Sequence, residues 1–240
     1  MKIKIKQLFL FMLLGLFNPI LLNAEELVIT SFGYSNFLLQ GGGLNIQLNP
    51  FKATGCNQNL KEVNDIEVDF IIASSRLDDE GYNPANKLMF FNPGIFKVKN
   101  IILSGISVPH DRLNGRRFGF GTVWNWDQND FKIVHMAGAA GEISIEDEIL
   151  LSRPDILFIS VGGGLKSYNG LEASKIVSRL QPKIVIPVHY SKEGNLIENC
   201  DLSTKNEFLK NMSDYNIRYV GNSFEFIKRN LIERSIYIFE

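Results

Sequence analysis

The sequence predicts an α+β protein in which two β-sheets pack face to face with helices outside. Three observations lead there. The first half of the chain is a succession of short β-type runs. The second half alternates apolar strands with helical segments. No Pro/Gly/Ser-rich linker divides them, so residues 25–240 read as one domain.

The elements follow in order. Leu27–Ser31, Asn36–Gln40 and Leu44–Leu48 are β-type, and Gly41-Gly42-Gly43 between the last two predicts a hairpin. Phe70–Ser74 is apolar throughout and bounded by polar residues, as a buried central strand would be. Lys87–Phe91, Phe96–Val98 and Ile101–Val108 continue the pattern. Gly119–Trp126 and Phe131–His135 predict a second hairpin, turning at Asp127–Asp130. Ser144–Leu151 (SIEDEILL) opens on a serine followed by carboxylates, the signature of a capped helix N-terminus. Ile156–Ser160 and Lys183–Val188 are buried strands. Leu171–Leu180 carries Leu, Ile and Val at helical spacing, and Thr204–Met212 is a further helix. Strands at Ile217–Val220, Phe224–Ile227 and Ile236–Phe239 close the chain.

The 240 residues are 45% apolar and 21% charged, with a formal net charge of −1. That suffices for a well-buried core and provides no field to steer polyanions, so nucleic acid is not an expected partner. The first 24 residues differ. Lys2, Lys4 and Lys6 precede an apolar stretch, Leu8–Phe17, and Leu22-Asn23-Ala24 precedes Glu25. This pattern predicts a signal peptide, residues 1–24, and an exported protein, whether periplasmic, luminal or extracellular. The stretch is short of the about 20 residues a membrane span needs, so no transmembrane span is expected in the mature chain.

The residues able to do chemistry are few. Asp69–Gly81 reads DFIIASSRLDDEG, a strand running into the acidic triplet Asp78, Asp79 and Glu80. Such triplets are usually solvated loop residues or helix caps. Arg76 has two roles open to it, pairing with an anionic ligand or neutralising that triplet. His110-Asp111 follows a strand, although sequence neighbours rarely have the geometry of a catalytic dyad. Arg116 and Arg117 are candidates for contacting a carboxylate or phosphate, or are surface charge. His135 and His189 each end an apolar strand, where a histidine is often only a packed core residue. Gly162-Gly163-Gly164 either cradles a phosphate or makes a tight turn. Phe118, Phe120, Trp124 and Trp126 share a face under period-two counting, most simply the core between two sheets.

Three stretches resemble the metallo-β-lactamase superfamily, and within it the small zinc-dependent hydrolase-like branch that includes ascorbate-phosphate lactonases. They are Ile29–Pro50 (ITSFGYSNFLLQGGGLNIQLNP), Asn92–Val123 with PGIFKVKN, His110-Asp111 and GRRFGFGTV, and Ile156–Tyr190 with VGGGLKSYNGLEASKIVSRLQPKIVIPVHY. The resemblance implies the four-layer αββα sandwich and a metal-dependent hydrolase site, and it departs from the family at that site. Where the family has H-x-H-x-D-H, this chain has Ser75, Leu77, Asp79 and Glu80. Gly33-Tyr34-Ser35 replaces Gly-His-Ser and Asn49-Pro50 replaces Asp-Pro. Gly138 stands where an aspartate bridges two metals.

By that resemblance one metal position would be built from Ser75, Leu77 and His135, where only His135 can ligate. The other would be built from Asp79, Glu80 and His189, a set suited to one divalent ion, with manganese or iron favoured over zinc by the extra oxygen donor. Asp79, His110 and Asp111 are the candidate catalytic groups. In the same fold Cys56 and Cys200 fall near the cleft rim, either as a disulfide or as two unrelated thiols.

Two readings result. In the first, a hydrolase-like pseudoenzyme without two-zinc chemistry, with no metal or one, acts as a binding protein for a small-molecule ligand. In the alternative, Asp79, Glu80 and His189 hold a single metal that hydrolyses a small lactone, ester or phosphate. Whether the chain is an enzyme stays open between them. Metal-free chemistry from Ser75, His110 and Asp111 is the remotest option, because no nucleophile stands beside an oriented base in the sequence.

Overall fold

Apolar runs in the first half pair into one sheet. In the computed structural model, which describes residues 25–192, 197, 198 and 200–240, the strands are β1 (Glu26–Ser31), β2 (Phe37–Gly41), β3 (Leu44–Leu48), β4 (Phe70–Ile72) and β5 (Met89–Phe90). The late strand β13 (Ser223–Ile227) joins them, giving the order β13-β1-β2-β3-β4-β5. The expected glycine hairpin forms between β2 and β3, with Gly41 opposite Leu44. The signal-peptide reading lies outside the described residues.

The second sheet has eight strands. They are β6 (Gly94–Val98), β7 (Ile101–Pro109), β8 (Phe120–Gln128), β9 (Phe131–Met136), β10 (Ile156–Ser160), β11 (Ile184–Val188), β12 (Asn216–Val220) and β14 (Ser235–Phe239), in the order β12-β14-β11-β10-β9-β8-β7-β6. From β6 to β9 the pairs are antiparallel hairpins. From β9 to β12 every pair is parallel, because helices make the crossovers. Those helices are α1 (Ile145–Leu151), α2 (Gly170–Leu180) and α3 (Asn206–Asn211). Ser144 caps α1 by accepting from the Asp147 N–H. Asn169 and Glu172 form a reciprocal capping box on α2, and Gln181 ends that helix in the left-handed region.

The chain is thus the predicted α+β sandwich. Its inner core lies between the sheets, with Ile29, Leu39, Ile46 and Phe70 facing Leu103, Trp124, Ile133 and Phe158. A second core lies between the eight-stranded sheet and the helices, where Val134, Leu157 and Val185 meet Ala173, Val177, Leu180 and Phe208. Both faces of β10 and β11 are therefore buried, which is why they read as unbroken apolar runs. On the outer face of the six-stranded sheet, a loop makes the cover at β3, where Gln47 donates to the carbonyl of Val63.

The aromatic stripe divides. Trp124 and Trp126 are buried in the inner core, but Phe120 is 61% exposed. The strand begins only at Phe120, paired with Pro109 at the sheet's end, and Phe118 belongs to the preceding turn. Period-two counting failed there because the strand did not extend that far.

Candidate functional site

Loops leaving the ends of β4, β7, β9, β10 and β11 meet the β1–β2 turn at one end of the sandwich. Open α/β sheets place their ligands at the same kind of end. Three non-glycine residues here sit at positive φ: Tyr34 (59°), Asn49 (40°) and His189 (54°). Such strain persists only where surrounding contacts enforce it. For Tyr34 and His189 the contacts are mutual. The His189 backbone N–H donates to the Tyr34 carbonyl at 3.1 Å, and the Tyr34 hydroxyl and His189 Nε2 lie 2.5 Å apart.

The floor of the cleft is a closed polar cluster around Glu80, which is fully buried. Its Oε1 accepts from the Ser75 hydroxyl at 2.5 Å and lies 3.0 Å from His110 Nε2. The other nitrogen of His110, Nδ1, meets the Gly138 carbonyl, which fixes the ring. Burial alone would raise the Glu80 pKa, but the charge and hydrogen bonding of His110 outweigh it and hold the carboxyl low. Burial likewise opposes protonation of His110, and Glu80 overrides it and raises that pKa. Ser74 extends the cluster. Its N–H donates to Asn49 Oδ1 at 2.8 Å, and its Oγ accepts from Asn49 Nδ2 at 3.0 Å and from the Gly138 N–H at 3.1 Å.

The mouth is built differently. Asp79 pairs with Lys166, whose ammonium also lies 5.7 Å from the Phe118 ring centroid. Lys166 is delivered by a braced turn. Gly163 and Gly164 take positive φ, Ser167 donates to the Gly163 carbonyl, and Arg112 donates to the carbonyls of Gly164 and Ser167. The Gly163 N–H is spent on the Tyr168 carbonyl and the Gly162 N–H on the His189 carbonyl. The glycine run is therefore a tight turn in which the Gly162 and Gly163 N–H groups are spent on backbone carbonyls. Asp201 completes the mouth, accepting from the Leu165 N–H at 2.9 Å. A cavity of about 310 Å³ opens between Tyr34, Asp78, Asp79, Lys166, His189 and Asp201.

The remaining candidates take other places. Asp111 accepts from the N–H groups of Leu113, Gly115, Arg117 and Phe118, which organises the loop after β7. Burial opposes its charged form, but those donors prevail and lower its pKa. His135 packs edge-on against Phe158, with neither ring nitrogen hydrogen-bonded, and burial drives its pKa down to about 4. The imidazole of His189 is also held at about 4, by burial. Arg76 lies over the Phe91 ring, so the acidic triplet is neutralised by Lys52, Lys166 and His110 in its stead. Arg116 and Arg117 are exposed. Cys56 and Cys200 are joined, with Cα atoms 4.9 Å apart across 144 residues, and Cys56 lines the cavity.

The family site would hold two metals, and the residues present do not fit them. Leu77 has no donor. The Ser75 hydroxyl is given to Glu80, and the His135 ring faces Phe158. Asp79, Glu80 and His189 are each engaged by a different partner: Lys166, His110 and Tyr34. Among the described residues, no three or more His, Cys, Asp or Glu side chains converge as a metal-holding group. The bridging aspartate has no room to return, because a Cβ on Gly138 would stand 2.4 Å from Ser74 Cβ and 2.7 Å from Glu80 Oε2.

Sequence reading missed Lys166, Asp201 and Ser74. Lys166 left a signal, as the one basic residue in the turn GGGLKSYNG after a buried strand. Asp201 left none, because only the disulfide and the folded loop bring it to the cleft.

The comparisons agree with this architecture. Residues 28–189 match the family described as the beta-lactamase superfamily domain, and the chain belongs to that family. A Thermotoga maritima structure assigned as a zinc-dependent hydrolase of the metallo-β-lactamase superfamily is 21% identical. It covers 89% of this chain and 98% of its own, with a TM-score of 0.70. The metallo hydrolase Igni18 from Ignicoccus hospitalis is 16% identical, with 84% and 98% coverage and a TM-score of 0.58. A Parabacteroides distasonis structure assigned as a metal-dependent hydrolase is 13% identical, with 88% and 92% coverage and a TM-score of 0.57. At these identities the likeness is one of fold. No curated protein matches.

Proposed function

We propose that this protein is an exported hydrolase-like member of the metallo-β-lactamase superfamily that does not perform two-metal hydrolysis and binds a small molecule in its cleft. One observation carries the reading: the groups at the family's metal positions are spent on one another, Glu80 on Ser75 and His110, and Asp79 on Lys166. A buried carboxylate already paired and hydrogen-bonded would have to give up those partners to ligate an ion. The Cys56–Cys200 disulfide supports export, since such bonds persist in oxidising compartments. The rival reading, one divalent ion on Asp79, Glu80 and His189, draws on Glu80 Oε2 and His189 Nδ1, which have no partner among the described residues.

Elemental mass spectrometry on chelator-free protein, with His189→Ala beside it, separates the two. The binding-protein reading expects no stoichiometric metal in either. One ion per chain that disappears in the variant would replace it with the single-metal hydrolase.

A further inference from the structure

We infer that the cleft rim formed by the loop between β7 and β8 is a docking surface for an anionic lipid membrane. The inference stands apart from the metal question, since none of the residues that carry it is a candidate metal ligand. Residues 112–120 read RLNGRRFGF, with three arginines and no carboxylate. Arg112 is spent inside the protein. It pairs with Glu172 and donates to the Gly164 carbonyl, which fastens the loop to the turn that bears Leu165. Arg116 and Arg117 are exposed, and neither has an acidic partner among the described residues. Beside them Leu113 is 53% exposed, Phe120 61% and Leu165 46%.

The loop's own backbone holds these side chains in place. The buried Asp111 carboxylate accepts four of its N–H groups. The Gly119 N–H donates to the Gly115 carbonyl at 2.9 Å, and the His110 N–H to the Gly119 carbonyl at 3.0 Å. Gly115, at a φ of 77°, approaches Phe120 so closely that a Cβ there would stand 2.9 Å from the ring. A loop braced in this way keeps its apolar residues in water rather than folding them onto the core, and such a patch marks a contact surface.

Its chemistry selects the occupant. Guanidinium groups bind phosphate oxygens bidentately, and aliphatic and phenyl groups enter the acyl boundary beneath lipid headgroups. A soluble phosphate would satisfy Arg116 and Arg117 and leave Leu113, Phe120 and Leu165 in water. Leu113, Arg116, Arg117 and Phe120 lie outside the lining of the cleft cavity, which suits a broad surface better than a seated small anion. The Arg117 guanidinium and the Lys166 ammonium both lie over the Phe118 ring, at 5.1 and 5.7 Å from its centroid. Phe118 thus joins the patch to the cleft mouth, and docking sets that mouth beside the lipid. With a net charge of −1 on the whole chain, close contact rather than long-range steering supplies the affinity.

The test is co-flotation with vesicles of phosphatidylcholine alone, and of phosphatidylcholine with about one third phosphatidylglycerol. Residues 25–240, which hold every described strand, are used so that the apolar leader does not itself carry the chain to lipid. The inference expects binding to the anionic vesicles and at least about tenfold weaker binding to phosphatidylcholine. Affinity for the anionic vesicles should fall about tenfold in Arg116→Gln with Arg117→Gln, and again about tenfold in Leu113→Ser with Phe120→Ser. The lipid-free thermal midpoint of each variant reports that the fold survives. Failure of the wild type to float with anionic vesicles at about 1 mM lipid overturns the inference, as does equal affinity for phosphatidylcholine or undiminished binding by either folded variant. Binding of polyglutamate or inorganic phosphate in place of vesicles overturns it in favour of an acidic polypeptide or a free anion. Metal content is read separately, so failure here leaves the reading of the cleft standing.

Discussion

The floor and the mouth of the cleft have met the same change in opposite ways. Each contains a position, Glu80 or Asp79, that the family resemblance aligns with a metal ligand. At the floor, Glu80, His110, Ser75, Ser74, Asn49 and Gly138 form a buried hydrogen-bonded network. At the mouth, Asp79, Lys166 and Asp201 border an open cavity. Burial decides the difference. A charge at the floor is costly unless it is paired, whereas water shares that work at the mouth. The floor is therefore a stability element, whereas the mouth stays open to solvent.

The largest effect expected is at the floor. Glu80→Ala leaves the fully enclosed His110 without its counter-charge and should cost about 3–5 kcal/mol in urea unfolding. A loss near zero would erase the distinction between the two regions.

The disulfide ties the mouth's two rims. Cys56→Ser with Cys200→Ser should cost about 4 kcal/mol, given the long loop the bond closes. The variant's unfolding midpoint, compared with that of the oxidised wild type, checks it.

Acid sharpens the contrast. The folded-state pKa of His135 is about 4, below its unfolded value of about 6.5, so the unfolded chain takes up protons first. Stability should fall as pH drops from about 6.5 towards 4. His135 supplies up to about 3 kcal/mol of that loss, which His135→Leu should abolish while changing stability little at pH 7. His189 acts in the same direction. His110 acts in the opposite one: its raised pKa means that its contribution is fully present below about 6.5 and lost as pH rises through the folded value. Unfolding measured at several pH values in wild type and His135→Leu separates the terms.

The smallest effect belongs to the mouth. Asp79→Asn should shift stability by less than about 1 kcal/mol, since its pair with Lys166 is partly solvated. A cost matching that of Glu80→Ala would show that the mouth, too, is structural.

Much of the fold was legible locally. Leu44–Leu48 and Ile156–Ser160 are the strands their apolar patterns predict, and Asn169 and Glu172 cap α2 just ahead of its apolar stripe. Period-two counting went astray at Phe118 and Phe120 because pattern alone does not say where a strand starts. At the site, the sequence shows which family ligands are missing, since that depends on residue identity. It misjudged the acidic triplet's partners. Arg76 was the nearest cation in the chain, yet Lys52, Lys166 and His110 do the pairing from 26, 87 and 30 residues away.

By itself, then, the sequence determined the sandwich, its strands and helices, and the loss of the two-metal ligand set, because these follow from short-range patterning and from which side chains can donate. Only the tertiary structure decided that Cys56 meets Cys200, that His110 neutralises Glu80 and that Asp201 faces the cavity. Each of those contacts joins residues remote in sequence, and its energy depends on distance and burial that exist only once the two sheets have packed.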